Sequence, residues 1–240
     1  MNKYNNDILI KDMNLLGITL SERQLSQLMK YYEILLEWNQ KMNLTAITEF
    51  DDVMKKHFVD SASLIKAYDV SKSASVIDVG TGAGFPGLVL KILFPNLDIV
   101  LLDSLNKRIQ FLNTVIDTLK LENVQAVHGR AEDFAKPEKW RERFDLCVSR
   151  AVANLSTLSE YCLPFVKQKG YFIAYKAENS SDEVKQAERA ISILGGREER
   201  KVEFMLPDSD ICRVLYVIEK KRTTPAKYPR KAGLPGKEPL

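Results

Sequence analysis

The chain predicts an α/β fold: a seven-stranded, mostly parallel sheet covered by helices on both faces, with a helical extension before it and an antiparallel hairpin after it. Three observations carry that prediction. Apolar, β-branched runs alternate with segments of helical period from residue 75 to residue 194, as strands joined by crossover helices do. The first of those runs enters a glycine-rich turn, Gly80-Thr-Gly-Ala-Gly84. The last two runs are separated by Pro207-Asp-Ser-Asp210 alone, too few residues for a crossover, so they pair antiparallel.

The elements follow in order. Residues 1–70 form the helical extension. Leu25, Leu28, Met29, Tyr32, Leu35 and Leu36 recur at helical spacing, and Ser21 followed three residues later by Gln24 predicts a capping box. Leu28, Tyr32, Leu35 and Trp38 are expected in the core. A turn is expected over residues 39–45. Val53, Met54, Phe58, Ala62 and Ile65 then resume the helical period. Residues 71–222 form the sheet domain, entered through the polar link Ser71-Lys-Ser-Ala-Ser75. Strands are expected at 75–79, 99–103, 124–129, 144–149 and 170–176, with helices at 87–93, 106–119, 154–164 and 181–194. Residues 197–206 and 212–219 supply the hairpin. Residues 223–240 hold Pro225, Pro229, Pro235 and Pro239 and two glycines, and are expected to be neither helix nor central strand.

Composition bounds the function. With 240 residues, 45% hydrophobic and 28% charged, the chain is an ordinary soluble one. It has no apolar run long enough to span a membrane. Its polar opening, Met1-Asn-Lys-Tyr-Asn-Asn-Asp7, lacks the order of a signal peptide. Cys147, Cys162 and Cys212 form no CxxC pair, so no metal site is expected, and their odd number fits the reducing cytoplasm. Cys147 lies in an apolar strand and is expected in the core. Charge is uneven: residues 220–240 hold seven Lys or Arg and one acid, a net +6, while the remainder is at −3. A basic tail on a mildly acidic body points to a polyanionic partner.

The turn carries the chemistry. Gly80, Gly82 and Gly84 let the backbone reverse sharply and approach a ligand, and Pro86 suits the first turn of the helix that follows, whose N-terminus is expected to face the ligand. Asp103 ends the second strand, where a carboxylate binds ribose hydroxyls. Ala131-Glu132-Asp133 follows the third strand, placed for an adenine edge. Two ligands satisfy this pattern, because Gly82-Ala-Gly84-Phe-Pro-Gly87 is also a dinucleotide fingerprint. Asp78, two residues before Gly80, is positioned for the amino group of S-adenosylmethionine, and Pro86 removes an N–H that a pyrophosphate would use. Both favour the methyl donor.

No Asn-Pro-Pro-Tyr or Asp-Pro-Pro-Tyr follows the fourth strand, so the stacking clamp of exocyclic-amine methylation is absent. Ser149-Arg150-Ala-Val-Ala-Asn154 stands in its place. No Pro-Cys or Thr-Cys loop supports covalent attack on a pyrimidine. Asn43-Leu-Thr-Ala-Ile47, His57-Phe-Val-Asp-Ser61, Asp78-Val-Gly-Thr-Gly-Ala-Gly-Phe-Pro-Gly87, Arg130-Ala-Glu132, Ser149-Arg150-Ala and the tail from Pro229 to Leu240 together resemble the bacterial small-subunit ribosomal RNA methyltransferase G family, also called glucose-inhibited division protein B. The resemblance spans nearly the whole chain. It implies a Rossmann-like class I S-adenosylmethionine-dependent methyltransferase fold and methylation at N7 of one guanine in 16S rRNA. It also implies donor contacts at Gly80, Phe85, Ala131, Glu132 and Arg150. N7 carries a free lone pair and loses no proton on methylation, so no general base or nucleophile is required.

The remaining residues are read more plainly. Arg150, at the end of the fourth strand, is the candidate for orienting donor or guanine, with a salt bridge as the alternative. Phe85 is a donor contact or a core aromatic. His57 and Asp60 are expected to cap or pack near the cleft mouth, and His128 to be structural. Lys176, Arg222, Lys227, Arg230, Lys231 and Lys237 are the candidates for RNA phosphate, with residues 223–240 packing on the domain or on RNA. The partner is then 16S rRNA or the small subunit, bound by a monomer, with the donor held elsewhere. Two other readings stay open: a non-catalytic sensor of the donor or of a dinucleotide, and a small-molecule methyltransferase, for which the tail is superfluous.

Overall fold

The helical extension starts as the sequence predicts and ends differently. In the computed structural model, which describes residues 4–178 and 181–240, helix α1 (Asp7–Leu15) is followed by α2 (Glu22–Met42). The first three residues of the polar opening lie outside the described residues. At the start of α2 the Gln24 N–H donates to Ser21 Oγ at 3.2 Å and the Ser21 N–H to Gln24 Oε1 at 2.9 Å, the reciprocal pair of a capping box. The turn expected over 39–45 begins only after Met42. Asn39 reads as a turn former, but its carbonyl accepts from the Asn43 N–H and its side chain from the Thr45 N–H, so it clasps the helix end instead. Asn43 itself takes the left-handed conformation, φ 47°.

A continuous helical run follows: α3 (Phe50–Val53), a π-helical turn (Met54–Val59), α4 (Asp60–Ala62) and a 3-10 turn (Ser63–Lys66). Such π turns re-aim side chains and occur often at functional sites. This one holds His57 and leads into Asp60, the first residue of α4.

The sheet strands are β1 (Ser75–Val79), β2 (Asp98–Asp103), β3 (Val124–His128), β4 (Phe144–Arg150), β5 (Val166–Ala177), β6 (Gly196–Met205) and β7 (Cys212–Lys220). They lie in the order β3-β2-β1-β4-β5-β7-β6. The first five are parallel, and β7 runs antiparallel between β5 and β6. The crossovers are α5 (Gly87–Leu93), α6 (Asn106–Leu119), α7 (Ala131–Phe134), α8 (Leu155–Cys162) with a 3-10 turn (Leu163–Phe165), and α9 (Ser181–Ile193). Period-two alternation sorts the side chains. Val76, Leu101, Leu146, Val148, Ile173 and Leu215 join the core under the N-terminal helices, α5 and α6. Ile77, Val100, Leu102, Cys147, Phe172 and Tyr216 face α8 and α9. The helical extension therefore shares one core with a sheet face, and no described helix is long and apolar enough to cross a membrane.

The chain after β7 departs from expectation. Residues 234–237 form one helical turn, α10 (Leu234–Lys237), with Pro235 in its first turn, where a missing N–H has no intrahelical role. The whole segment is strapped across α8. Glu160, fully buried, accepts from the backbone N–H, Nε and Nη2 of Arg230 at 2.6–3.1 Å. Arg141 donates to the carbonyls of Thr224, Pro225 and Tyr228. Thr157 Oγ1 donates to the Pro235 carbonyl at 3.0 Å and Ser156 Oγ to the Leu240 carbonyl at 2.8 Å. Removing one partner of a buried ion pair leaves the other uncompensated. Arg230→Ala is therefore expected to lower unfolding free energy by ~3–5 kcal/mol, measured by urea denaturation at pH 7. A change under ~1 kcal/mol, the range of an exposed pair, would contradict this role.

Candidate functional site

The glycine turn sits where β1 and its neighbours β2 and β4 diverge, at the carboxyl ends of the strands, the place where open parallel sheets bind ligands. Gly80, Gly82 and Gly84 all have positive φ, 71°, 61° and 90°. Side chains there would be strained, and a Cβ on Gly84 would stand 2.5 Å from Leu88 and 2.7 Å from the Tyr31 hydroxyl. The turn is closed by acids. Asp78 Oδ2 accepts from Thr81 Oγ1 at 2.7 Å and from the Gly87 N–H at 2.8 Å. Asp103 Oδ2 accepts from the Gly82 N–H at 2.9 Å, and Oδ1 from the Leu105 N–H at 2.9 Å. Tyr31 donates its hydroxyl to the Ala83 carbonyl from behind.

Two expectations change here. The first N–H of α5, that of Gly87, expected to face the ligand, is taken by Asp78 instead. Asp78, expected to reach the donor's amino group, is fully buried and lines neither hollow beside the turn, because closing the turn consumes its Oδ2. Its Oδ1 is buried without a hydrogen-bond partner. Desolvation raises its pKa to about 6 against the opposing bonds from Thr81 and Gly87.

One hollow, of about 140 Å³, is lined by Gly80, Asp103, Ala131, Glu132, Val152 and Tyr161, among others. It brings together the sequence-expected ribose carboxylate and the adenine-edge residues. Arg108 also donates to Asp103, at 3.2 Å. Glu132 Oε1 accepts from the Gly233 N–H at 2.8 Å. Val152 packs on the turn so closely that a Cβ on Gly80 would stand 2.5 Å from its Cγ2.

Gly80 also lines a second, larger cavity of about 590 Å³ that contains Gly82, Phe85, His57, Arg150 and Arg213. Phe85 is buried, stacks on His57 at 4.4 Å between centroids and lies under the Arg150 guanidinium at 5.1 Å, so it is both core aromatic and cavity wall. Arg150 Nη1 donates to Asp60 Oδ2 at 2.8 Å and to the Lys56 carbonyl at 3.2 Å, and Nη2 to His57 Nδ1 at 3.3 Å. With Nδ1 accepting, Nε2–H donates to Thr45 Oγ1 at 2.9 Å. Burial, aided by the Arg150 charge, lowers the His57 pKa to about 3, so the ring is neutral. Ala151, next after Arg150, holds φ 57°.

His57 and Asp60, expected to cap or pack near the cleft mouth, both line this cavity. Arg213 escaped the sequence reading. Its Nε donates to Asp60 Oδ1 at 3.0 Å, so one buried carboxylate holds two arginines. A signal existed: Arg213 precedes Leu215 and Val217 at period two, a charge in core-facing register. His128, expected to be structural, is exposed with Nε2 at 3.1 Å from the Ser104 carbonyl. Among the described residues, no cluster of His, Cys, Asp and Glu has the geometry to hold a metal.

The expected RNA-facing cations divide. Lys176 lines the larger cavity and is held by Glu183 and the Ala153 carbonyl. Arg230 is consumed by Glu160. Arg222 donates to the Ser192 carbonyl at 2.9 Å while exposed. Lys227, Lys231 and Lys237 are exposed on the strap, with Lys227 over the Tyr228 ring.

Known proteins match this arrangement. A sequence profile of the family described as rRNA small subunit methyltransferase G matches residues 24–212. A protein named ribosomal RNA small subunit methyltransferase G from Lachnoclostridium phytofermentans is 52% identical over 235 residues, 98% of this chain and 97% of its own. One of the same name from an Exiguobacterium species is 54% identical over 224 residues, covering 93% and 94%. In fold, the chain is similar to an S-adenosylmethionine-dependent methyltransferase of Aquifex aeolicus, with TM-score 0.53 and 18% identity over 71% of this chain and 94% of that one. It is also similar to TYW2 of M. jannaschii in complex with AdoMet, with TM-score 0.56 and 12% identity over 73% and 79%. The chain belongs to the rRNA small subunit methyltransferase G family.

Proposed function

We propose that this protein transfers the methyl group of S-adenosylmethionine to N7 of a guanine in small-subunit ribosomal RNA. One observation carries the choice of donor. The amides of Gly82 and Gly87, which a dinucleotide pyrophosphate would use, are already bonded to the carboxylates of Asp103 and Asp78. The turn therefore offers a pyrophosphate neither of those N–H groups, while the Asp103 carboxylate lines the hollow and suits a cationic sulfonium and ammonium. The smaller hollow takes the adenosine, with Asp103 toward the ribose and Ala131 and Glu132 toward adenine. Gly80 leads from it to the larger cavity, where Phe85 and Arg150 stand. Asp78 supports the turn from behind.

The reaction forms one N7–carbon bond as the sulfur–carbon bond breaks, and sulfur keeps the electron pair. The guanine ring gains positive charge and no proton moves. Residues near it need only position and avoid repulsion, and positioning alone is capable of ~7–11 kcal/mol. Arg150, clamped by Asp60 and the Lys56 carbonyl, is the orienting residue. Neutral His57 adds no charge against the ring. Recognition of 16S rRNA, as naked RNA or small-subunit particle, draws on Lys176, Arg222, Lys227, Lys231 and Lys237, by a monomer in the cytoplasm.

Three outcomes are expected. Gly82→Arg places a long side chain at a left-handed position whose only near neighbour is the Gly80 carbonyl at 3.9 Å, so it projects into the cleft. Equilibrium dialysis should show donor binding abolished in a folded protein, and retained affinity would defeat the placement. His57 should stay neutral down to pH 5 in a ring-nitrogen NMR titration. Its folded pKa of about 3 lies below the ordinary 6.5, so its contribution to stability is present above pH 6.5 and declines as pH falls below that value. An inflection near pH 6.5 would contradict its buried environment. Mapping N7-methylated guanines in 16S rRNA should show one site lost when the gene is deleted, whereas an unchanged pattern would rule out the substrate.

A further inference from the structure

We propose that residues 233–240 are part of the donor site, positioning Glu132 at the adenine end, rather than an arm reserved for RNA. The proposal rests on the placement of adenosine in the smaller hollow. Composition alone marks this segment as basic and suggests that it meets phosphate. Its geometry points inward. The Gly233 N–H donates to Glu132 Oε1 at 2.8 Å. Glu132 is 6% exposed and lines the hollow. With one oxygen fixed by the strap, the other is left for a hydrogen-bond donor on the ligand, and the exocyclic amine of adenine is such a group. Gly236 approaches a second lining residue, since a Cβ on it would stand 3.5 Å from the Tyr161 hydroxyl.

The amide is aimed by backbone conformation. Gly233 has φ 82°, a left-handed value, with open space where a Cβ would lie. A β-branched residue there would be driven out of that conformation and would turn the N–H away from Glu132, without meeting any neighbour. Asn tolerates left-handed backbone and should keep the amide in place. Around this contact α8 supplies the rest of the seat. Thr157 holds the Pro235 carbonyl, Ser156 the Leu240 carbonyl, and Glu160 the strap's Arg230. Lys231 and Lys237 ride on the outer side, exposed.

The test uses the full chain carrying Gly233→Val or Gly233→Asn, and a chain ending at residue 232, which keeps the Arg230 anchor. The dissociation constants of S-adenosylmethionine and of 5′-methylthioadenosine are measured by calorimetry, and KM and kcat on small-subunit particles by methyl incorporation. Gly233→Val and the shortened chain should each weaken both nucleosides by about tenfold and by the same factor, the scale of one charge-assisted hydrogen bond. Equal loss for methylthioadenosine, which lacks the amino-acid end, localises the effect to adenosine. Gly233→Asn should restore affinity, and kcat at saturating donor and KM for particles should hold. Unchanged donor affinity overturns the proposal, with or without a rise in particle KM, and such a rise would assign the segment to RNA. Gly82→Arg serves as control. If it too leaves donor affinity intact, the placement of the donor fails; if it abolishes binding while Gly233→Val does not, only the strap proposal fails.

Discussion

The buried carboxylate of Asp78 is the point on which the cleft is built. It leaves the end of β1 and ties both the Thr81 hydroxyl and the first amide of α5, so strand, turn and helix are fixed by one side chain. Asp103 repeats the device from β2 by holding the Gly82 amide. Burying ionised groups is unfavourable unless hydrogen bonds offset the lost solvation, and desolvation is the largest influence on Asp78. What results is a turn whose Gly82 and Gly87 amides are already bonded, both to carboxylates. That distinguishes it from glycine turns that cradle phosphate, although the glycine spacing is the same.

The larger cavity depends on a second buried carboxylate. Arg150 and Arg213 come from β4 and β7, on opposite sides of β5, and each occupies the face that Leu146, Val148, Leu215 and Val217 present to the core. Two guanidinium groups on that face require an anion, and Asp60 supplies it from the helical extension. The extension is thus no appendage: its π turn delivers His57 and Asp60 to the cleft, and Asn43-Leu-Thr45 ends α2 so that Thr45 accepts the His57 proton donor. The same packing that hides His57 from water keeps it neutral beside a guanidinium.

The end of the chain shows how charge misleads when read without contacts. Seven of its last 21 residues are basic, yet Lys220 is fully buried against the Leu163 carbonyl and Thr224 Oγ1, and Arg230 is spent on Glu160. Electrostatics drawn from a list of residues counts these as surface charge. In the fold they are internal fasteners that lay the strap along α8 and bring the Gly233 N–H to Glu132, in the wall of the smaller hollow.

The sequence by itself determined the sheet, its parallel core, the closing hairpin and the site of the glycine turn. Those follow from periodicity, glycine conformational freedom and loop length, all properties of near neighbours in the chain. Strand-end acids at positions 78 and 103 were legible for the same reason, because strand ends are where such a sheet binds ligands. Only the tertiary structure decided which of them lines a hollow, since burial and hydrogen-bond partners across 9 or 21 residues set that. It alone joined Asp60 to Arg213, 153 residues apart, and Glu132 to Gly233, 101 residues apart. No local pattern encodes such pairs. They arise when strand order and the path of the strap bring distant polar groups into spaces from which water is excluded, where each must find a partner.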